Sequence, residues 1–194
     1  MGRQLAETGC PGVFEGFIMS IKPTLKDAID LATQHHEGQF DKGGKPYIGH
    51  PMRVMEKMML KDFKIVAVLH DIVEDTFITL QDLTDLGYGS MIVDAIDCLT
   101  KREGESYDKF VNRTMTDTMA SYVKLADIED NMDLNRLKTV TAKDKARYNK
   151  YKKIHTRIKK HLKDEENKVC KHCLEPPMYC TCIEEIIKER DSRN

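Results

Sequence analysis

The sequence predicts an all-α protein with a short cysteine-rich tail, and three observations support this prediction. Apolar residues recur at helical spacing in most segments between positions 24 and 162. No segment shows the alternation of apolar and polar residues that is typical of a strand. Of the six cysteines, four lie between Cys170 and Cys182, beyond the last helical pattern. We therefore expect one helical domain followed by a separate tail.

The composition is that of a globular protein. The chain has 194 residues, of which 40% are hydrophobic and 32% are charged, enough to bury the core of one domain. No apolar run is long enough to span a membrane, and the first twenty residues lack the pattern of a secretory signal. The net charge of −1 gives the whole molecule no strong attraction for nucleic acid or lipid. We expect a cytoplasmic protein with no membrane partner.

The pattern divides the chain into an N-terminal extension over residues 1–22, a helical domain over 23–163 and the cysteine-bearing tail over 164–194. Thr24 is a suitable N-cap for a first helix that runs to about His36, before a glycine-containing loop. Pro51 suits the first turn of a second helix, over Met52 to Leu60. The later predicted helices cover about 62–75, 80–86, 91–100, 106–116, 119–136 and 142–162.

The stretch LHDIVEDT, residues 69–76, carries two adjacent pairs of ionisable groups. His70 is followed by Asp71 and, one helical turn later, Glu74 is followed by Asp75. On one continuous helix these four side chains would share a polar face opposite an apolar face. Taken alone, such a short pattern is more often a solvated helix face than a functional site.

Two other segments carry matching side chains. His50 lies at the start of the preceding helix, and Asp127 lies in an otherwise apolar helix with Asn131 one turn further on the same face. With His70 and Asp71 they form a set of two imidazoles and two carboxylates, which suits Mn²⁺, Fe²⁺ or Zn²⁺ and favours manganese or iron. An ion held there would supply a hydroxide nucleophile and polarise a phosphoryl oxygen. The carboxylates of Glu74 and Asp75 would remain free to position the water and transfer its proton.

Four blocks in order, HHEGQFDKGGKPYIGHP, LHDIVEDT, LTKRE and VKLADIEDNMDLNRL, resemble the HD-superfamily hydrolase domain of RelA/SpoT-type alarmone enzymes, particularly the small single-domain alarmone hydrolases. The resemblance covers about residues 24–162. It implies the HD-domain helical fold and removal of the 3′-diphosphate of (p)ppGpp as pyrophosphate. It further implies one Mn²⁺ on His50, His70, Asp71 and Asp127, water activation by Glu74 and Asp75, and nucleotide contact by Asn131.

The chain departs from the family pattern at two positions. Asp41 stands where the family usually has an arginine that packs on the guanine base, and Asp133 stands where a second arginine is common. An aspartate cannot stack as a guanidinium does. Hydrolysis is therefore better supported than the substrate, which could be another nucleotide such as a dNTP, NADPH or a signalling nucleotide.

Three further residues near the first block have open roles. Lys42 and Lys45 could bind phosphate, or they could be ordinary residues of an exposed loop. Tyr47 could form a wall of the nucleotide pocket, or it could anchor the loop to the core. His36 matches a family histidine that is not a ligand, and we expect a hydrogen-bonded core histidine there.

The tail contains the array CKHCLEPPMYCTC, with Cys170, Cys173, Cys180 and Cys182. Four closely spaced thiolates in a reducing compartment suit one structural Zn²⁺ in a knuckle-like fold. The alternatives are a redox-labile cluster and unliganded cysteines.

The last predicted helix is basic, with ten lysines and arginines and one acid between residues 142 and 163. We interpret it as a solvated face, with a nucleic-acid-binding module formed by this helix and the tail as the less favoured alternative. The oligomeric state cannot be predicted from the sequence.

Overall fold

The computed structural model describes residues 22–166, and it confirms the all-helical prediction for this part of the chain. These residues contain no strand beyond an isolated bridge between Phe40 and Pro46. The helices are α1 (Leu25–His35), α2 (Gly49–Glu56), α3 (Lys61–Leu69), α4 (Ile72–Asp75), α5 (Leu80–Asp85), α6 (Ser90–Leu99), α7 (Tyr107–Thr114), α8 (Thr118–Met132) and α9 (Ala142–Glu166).

Helix α3 is the centre of the domain. Its residues from Ile65 to Leu69 are all buried, and α1, α2, α6 and α8 pack around it. This part of the helix is apolar on every side and has no solvent face, whereas Lys61 and Asp62 at the start of the helix are exposed. The main core therefore surrounds α3 and fixes the position of its C-terminal end.

A second, smaller apolar cluster joins α8 and α9. It contains Val111, Ile128, Ile154, Ile158 and Leu162. Helix α9 therefore packs through an apolar stripe, and most of its lysines are exposed, as the solvated-face interpretation expects. The helix continues to Glu166, four residues beyond its predicted end at Leu162.

The first helix begins as predicted. Thr24 accepts a hydrogen bond from the amide of Asp27 at 3.3 Å, and the Asp27 carboxylate accepts one from the amide of Thr24 at 2.7 Å. This reciprocal capping box satisfies two amides that would otherwise lack helical partners.

The prediction of a single helix over residues 62–75 is wrong, because the helix is interrupted between Leu69 and Ile72. The His70 ring nitrogen Nδ1 bonds back to the carbonyl of Ala67 at 2.8 Å, and Asp71 adopts φ −102° and ψ −1°. The interpretation of this stretch as a solvated face is wrong for His70, which is only 1% exposed, whereas Glu74 and Asp75 are exposed.

Two other predicted boundaries are corrected. Helix α2 begins at Gly49 and ends at Glu56, earlier than predicted at both ends. Helix α8 ends at Met132 and is followed by a 3-10 turn over Leu134–Arg136. The Asp133 side chain causes this change, because it accepts a hydrogen bond from the amide of Asn135 at 3.0 Å and so starts a new turn.

The predicted zinc ligands Cys170, Cys173, Cys180 and Cys182 lie outside the described residues, as does the extension apart from Lys22. The proposed division at residues 22 and 163 stays a prediction. None of the helices within residues 22–166 is long and apolar enough to cross a bilayer.

Candidate active site

The break after α3 places two candidate ligands side by side. His70 ends the central helix, and its Nε2 lies 2.9 Å from the Oδ2 atom of Asp71. The Tyr47 hydroxyl donates a hydrogen bond to the same carboxylate oxygen. Burial opposes ionisation of Asp71, but the neighbouring His70 outweighs it and lowers the pKa of this carboxyl. A charged carboxylate is therefore held next to the buried imidazole.

The second imidazole comes from the first turn of α2. His50 is buried, and its Nε2 lies 3.1 Å from Asp127 Oδ1 and 3.7 Å from Asp71 Oδ2. On the other side of the ring, Nδ1 lies 2.6 Å from the carboxylate of Asp130. Burial opposes a charge on this ring, but hydrogen bonds to Asp127 and Asp130 raise the pKa of His50 to about 9.

Helix α8 supplies the second carboxylate. Asp127 is buried, and it accepts a hydrogen bond from the Asn131 side-chain nitrogen at 2.5 Å. The Lys124 ammonium lies 2.9 Å from its other oxygen. The predicted placement of Asn131 on the same face as Asp127 is confirmed.

The four predicted ligands therefore come together, although they lie on separate elements. Ligand atoms of His50, His70 and Asp127 all lie within 4.8 Å of one another. Asp71 completes the group through its contacts with both rings. Such a mixed imidazole and carboxylate set suits a divalent metal ion.

The hydrogen bonds of the two rings show that the group fits a cation. A backbone carbonyl can only accept, so Nδ1 of His70 donates to Ala67, and the ionised carboxylate of Asp130 likewise requires Nδ1 of His50 to donate. The carboxylates of Asp127 and Asp71 beside Nε2 of His50 favour a positive charge at that position, as the raised pKa of the ring shows. The buried Nε2 of His70 has no hydrogen-bond partner among the described residues. A metal ion between the carboxylates would supply that positive charge and would take the lone pairs of both Nε2 atoms.

The two candidate catalytic carboxylates follow immediately on α4. The side chains of Glu74 and Asp75 are both exposed, and both lie near enough to Asp71 to be affected by its charge. Partial burial and the nearby Asp71 charge raise the pKa of Glu74 and of Asp75. A raised pKa makes a carboxylate a better proton acceptor near neutral pH.

A cavity of about 450 Å³ opens beside the candidate ligands. His50, Asp71 and Asp127 line it together with four cationic side chains and two tyrosines: Lys42, Lys124, Arg136, Arg147, Tyr47 and Tyr151. Cations and aromatic rings around a metal-suited group are the surroundings that a phosphorylated nucleotide requires.

The other predicted substrate residues divide into two groups. Asn131 and Lys42 line the cavity, whereas Lys45 is exposed and does not line it. Tyr47 lines the cavity and also donates a hydrogen bond to Asp71. His36 is buried and lies 2.9 Å from the Gln39 side-chain oxygen, which confirms the expectation of a hydrogen-bonded core histidine.

The two aspartates at unusual positions have local structural contacts. Asp41 accepts hydrogen bonds from the amides of Gly43 and Lys45, each at 2.9 Å, and so shapes the loop. Asp133 lines the cavity and caps the short turn after α8. The loop at Asp41 therefore uses its carboxylate on its own backbone.

Sequence reasoning missed several side chains of the site. Asp130 and Lys124 each lie three residues from Asp127, inside a block that was already recognised. Their role depends on which neighbours they meet, and the block alone does not show this. Arg147 was counted with the solvated basic face of the last helix and Tyr151 with its apolar side, although both line the cavity.

Comparison with known proteins supports the resemblance. No protein-family model matches the chain. Over 56% of its length it is 32% identical to the bifunctional (p)ppGpp synthase/hydrolase SpoT of Escherichia coli K12 and to a GTP pyrophosphokinase of Myxococcus xanthus. A guanosine-3′,5′-bis(diphosphate) 3′-pyrophosphohydrolase of Vibrio cholerae is also 32% identical. The chain covers only 16–17% of the length of these relatives.

A solved structure has a similar fold. It belongs to a metazoan ortholog of SpoT that is described as hydrolysing ppGpp, and it superposes with a TM-score of 0.57 over 86% of this chain and 94% of the other. The sequence identity is 20%, so this likeness supports the fold. The resemblance to SpoT/RelA-type proteins that the four blocks predicted is confirmed.

Proposed function

We propose that this chain is a Mn²⁺-dependent phosphohydrolase that removes the 3′-diphosphate from (p)ppGpp or a related alarmone. The observation that carries the proposal is the convergence of His50, His70, Asp71 and Asp127 beside a cavity that is lined by cations. The names of the relatives supply the substrate class. Manganese is proposed because imidazole and carboxylate ligands without a thiolate favour it.

In this proposal the four ligands hold the ion, and their neighbours hold the ligands. Tyr47 orients Asp71, while Lys124 and Asn131 each bind an oxygen of Asp127. When bound, the ion supplies Lewis-acid chemistry, acidifying water and polarising a phosphoryl oxygen.

Glu74 and Asp75 orient the attacking water and accept its proton. The water oxygen attacks the phosphorus that is joined to the 3′ oxygen. The bond between this phosphorus and the 3′ oxygen breaks. Pyrophosphate leaves, and the 3′ oxygen takes up a proton to become a hydroxyl group. The raised pKa of both carboxyls supports their use as proton acceptors.

The substrate is held by the cavity walls. Lys42 and Arg147 bind phosphate oxygens, and the rings of Tyr47 and Tyr151 pack against the nucleoside. Asn131 uses its side-chain nitrogen on Asp127, which leaves its carbonyl oxygen to accept a hydrogen bond from the nucleotide.

A second candidate is the same chemistry on another nucleotide, such as a dNTP, NADPH or a signalling nucleotide. The specific observation is at Asp41, where the loop uses a carboxylate on its own amides and offers no stacking guanidinium to a base. The base contact must then differ from that of the family.

A nucleotide panel separates these candidates. Purified protein with Mn²⁺ is given ppGpp, pppGpp, dNTPs and NADPH, and pyrophosphate and phosphate release are measured separately. We expect pyrophosphate from ppGpp and pppGpp with the other nucleotides intact. Turnover of another nucleotide, with ppGpp intact, would establish the second candidate.

Two variants test the mechanism. Asp71→Asn should abolish metal-dependent turnover, whereas Glu74→Gln should leave Mn²⁺ bound and slow the reaction by about 10²-fold or more. Matched controls are Asp94→Asn and Glu56→Gln, which change exposed side chains. Unchanged rates in both test variants would contradict the mechanism.

Three further predictions accompany the proposed function. The protein acts in the cytoplasm, and the four tail cysteines hold a structural Zn²⁺. Nucleic acid is a less favoured partner than the nucleotide, because the basic side chains of α9 lie mainly on a solvated face.

A further inference from the structure

A line of charged side chains runs from the rim of the cavity to His50. The rim is the loop over residues 39–47, and Asp41 is its buried carboxylate, with a side chain that is 8% exposed. Nη1 of Arg136 lies 3.5 Å from Asp41 Oδ2 and 3.4 Å from Asp130 Oδ2. Asp130 in turn lies 2.6 Å from Nδ1 of His50. One guanidinium therefore stands between the rim and the residue that orients a candidate metal ligand.

Further hydrogen bonds hold Asp130 in this line. Nη2 of Arg136 donates to the backbone carbonyl of Asp130 at 2.8 Å. Arg53 donates from Nε to Asp130 Oδ1 at 2.7 Å and from Nη2 to Oδ2 at 3.0 Å. These contacts leave the Asp130 carboxylate little freedom to turn. Burial alone would raise the pKa of Asp130, but the hydrogen bonds from His50 and Arg53 outweigh it and lower the pKa.

The backbone of the rim also meets Arg136. A Cβ atom placed on Gly43 would lie 2.5 Å from the carbonyl oxygen of Arg136, so the two segments touch without room for a side chain. The amide of Gly43 donates to Asp41 Oδ1, and the other oxygen of that carboxylate faces the guanidinium of Arg136. The same carboxylate thus shapes the loop and attaches it.

We infer that Arg136 is a positioning residue that joins the nucleotide rim to the metal ligand His50 through Asp130. The inference rests on the proposed function, since it needs a metal on His50. A carboxylate on the far nitrogen of a ligating histidine fixes the ring and strengthens the ligand, and its loss costs about 10–100-fold in metal affinity. Asp41 stands where the family usually has a stacking arginine, and its carboxylate forms an ion pair with Arg136.

Burial distinguishes this arrangement from an ordinary surface ion pair. An exposed pair contributes little to stability and would not transmit a change. Here Asp130 is 6% exposed and Arg136 is 20% exposed, so removal of one group leaves another charge uncompensated in a confined space. We therefore expect a substitution at Arg136 to alter the binding of metal by His50.

The test measures Mn²⁺ binding to the full-length protein by calorimetry, without nucleotide. Arg136→Lys keeps the charge, but a single ammonium cannot span Asp41 and Asp130 as the fork does. We expect the Mn²⁺ dissociation constant to rise about tenfold. Asp41→Asn, which keeps an oxygen for the loop amides, should weaken binding in the same direction by a smaller factor. The control Arg157→Lys changes a partly exposed arginine of α9, which pairs with Asp108, and should leave the affinity unchanged.

A double variant tests the link itself. If Asp41 acts on His50 only through Arg136, the double variant Asp41→Asn with Arg136→Lys should bind Mn²⁺ no more weakly than Arg136→Lys alone. Unchanged Mn²⁺ affinity in both single variants, with only the KM raised, would overturn the inference and leave a purely local rim contact. If Arg136→Lys fails to fold by circular dichroism, Asp41→Asn alone decides the matter.

The outcomes for this inference and for the proposed function are separable. A protein that shows these affinity changes but leaves ppGpp intact contradicts the proposed substrate and supports the inference. A wild-type protein that hydrolyses ppGpp, with variants of unchanged Mn²⁺ affinity, supports the function and overturns the inference. A wild-type protein that binds no divalent ion overturns both.

Discussion

Lys124 offers a quantitative test of the electrostatics around the candidate metal ligands. Its side chain is 11% exposed, and its ammonium lies 2.9 Å from Asp127 and 4.9 Å from the centre of the Phe110 ring. Lys124→Met keeps the apolar stem but removes the charge. Breaking a buried pair costs about 3–5 kcal/mol, and we expect about 3 kcal/mol because Asp127 keeps its contacts with Asn131 and His50. At this chain length the midpoint of thermal unfolding would fall by about 6–12 °C.

The matched control is Lys57→Met. Lys57 also reaches α8, where it lies 3.2 Å from Glu129, but this pair is exposed and should contribute less than about 1 kcal/mol. Urea unfolding of both variants and the wild type, without added metal, gives the two free energy changes. A loss in Lys124→Met no larger than that in Lys57→Met would refute the buried-pair argument.

Three further predictions follow from other contacts. Chelation of divalent ions should lower the unfolding midpoint, since an ion at 100 times its dissociation constant stabilises the fold by about 2.7 kcal/mol; an unchanged midpoint in the presence of EDTA would contradict the metal site. Gly43→Ala should destabilise the protein because its Cβ would meet the carbonyl of Arg136 at 2.5 Å, whereas Gly89→Ala, with no atom within 4 Å, serves as the neutral control in the same calorimetric scan. The hydrogen bond from Arg113 lowers the pKa of Glu105 to about 2, so this pair stabilises the fold above the ordinary pKa near 4.5, and the contribution disappears as the pH falls towards 2. Urea unfolding should therefore show Glu105→Gln less stable than wild type at pH 7 but not at pH 2; an equal difference at both pH values would count against this pair.

The sequence predicted the helical class and much of the element order because helical periodicity is a local property. Thr24 and its capping box show this, since all partners lie within one turn. The candidate ligands were also found, because His70 and Asp71 are adjacent and His50 and Asp127 lie in recognisable blocks.

The remaining features depend on tertiary contacts that periodicity does not show. The break at Asp71 follows from burial of His70 at the end of α3, where its ring bonds to Ala67. The role of Asp130 depends on Arg53 and on His50, which is eighty residues away in the chain. Such partners become neighbours only when α2 packs on α8.

The two apolar clusters give the walls of the cavity different resistance to local opening. Arg147 and Tyr151 belong to α9, which relies on the smaller cluster of five buried residues, whereas the candidate ligands lie on elements around the main core. Segments with fewer buried contacts open at lower free energy. Amide hydrogens of α9 should therefore exchange with solvent before those of α3. On warming, nucleotide affinity should fall before the metal ion is released.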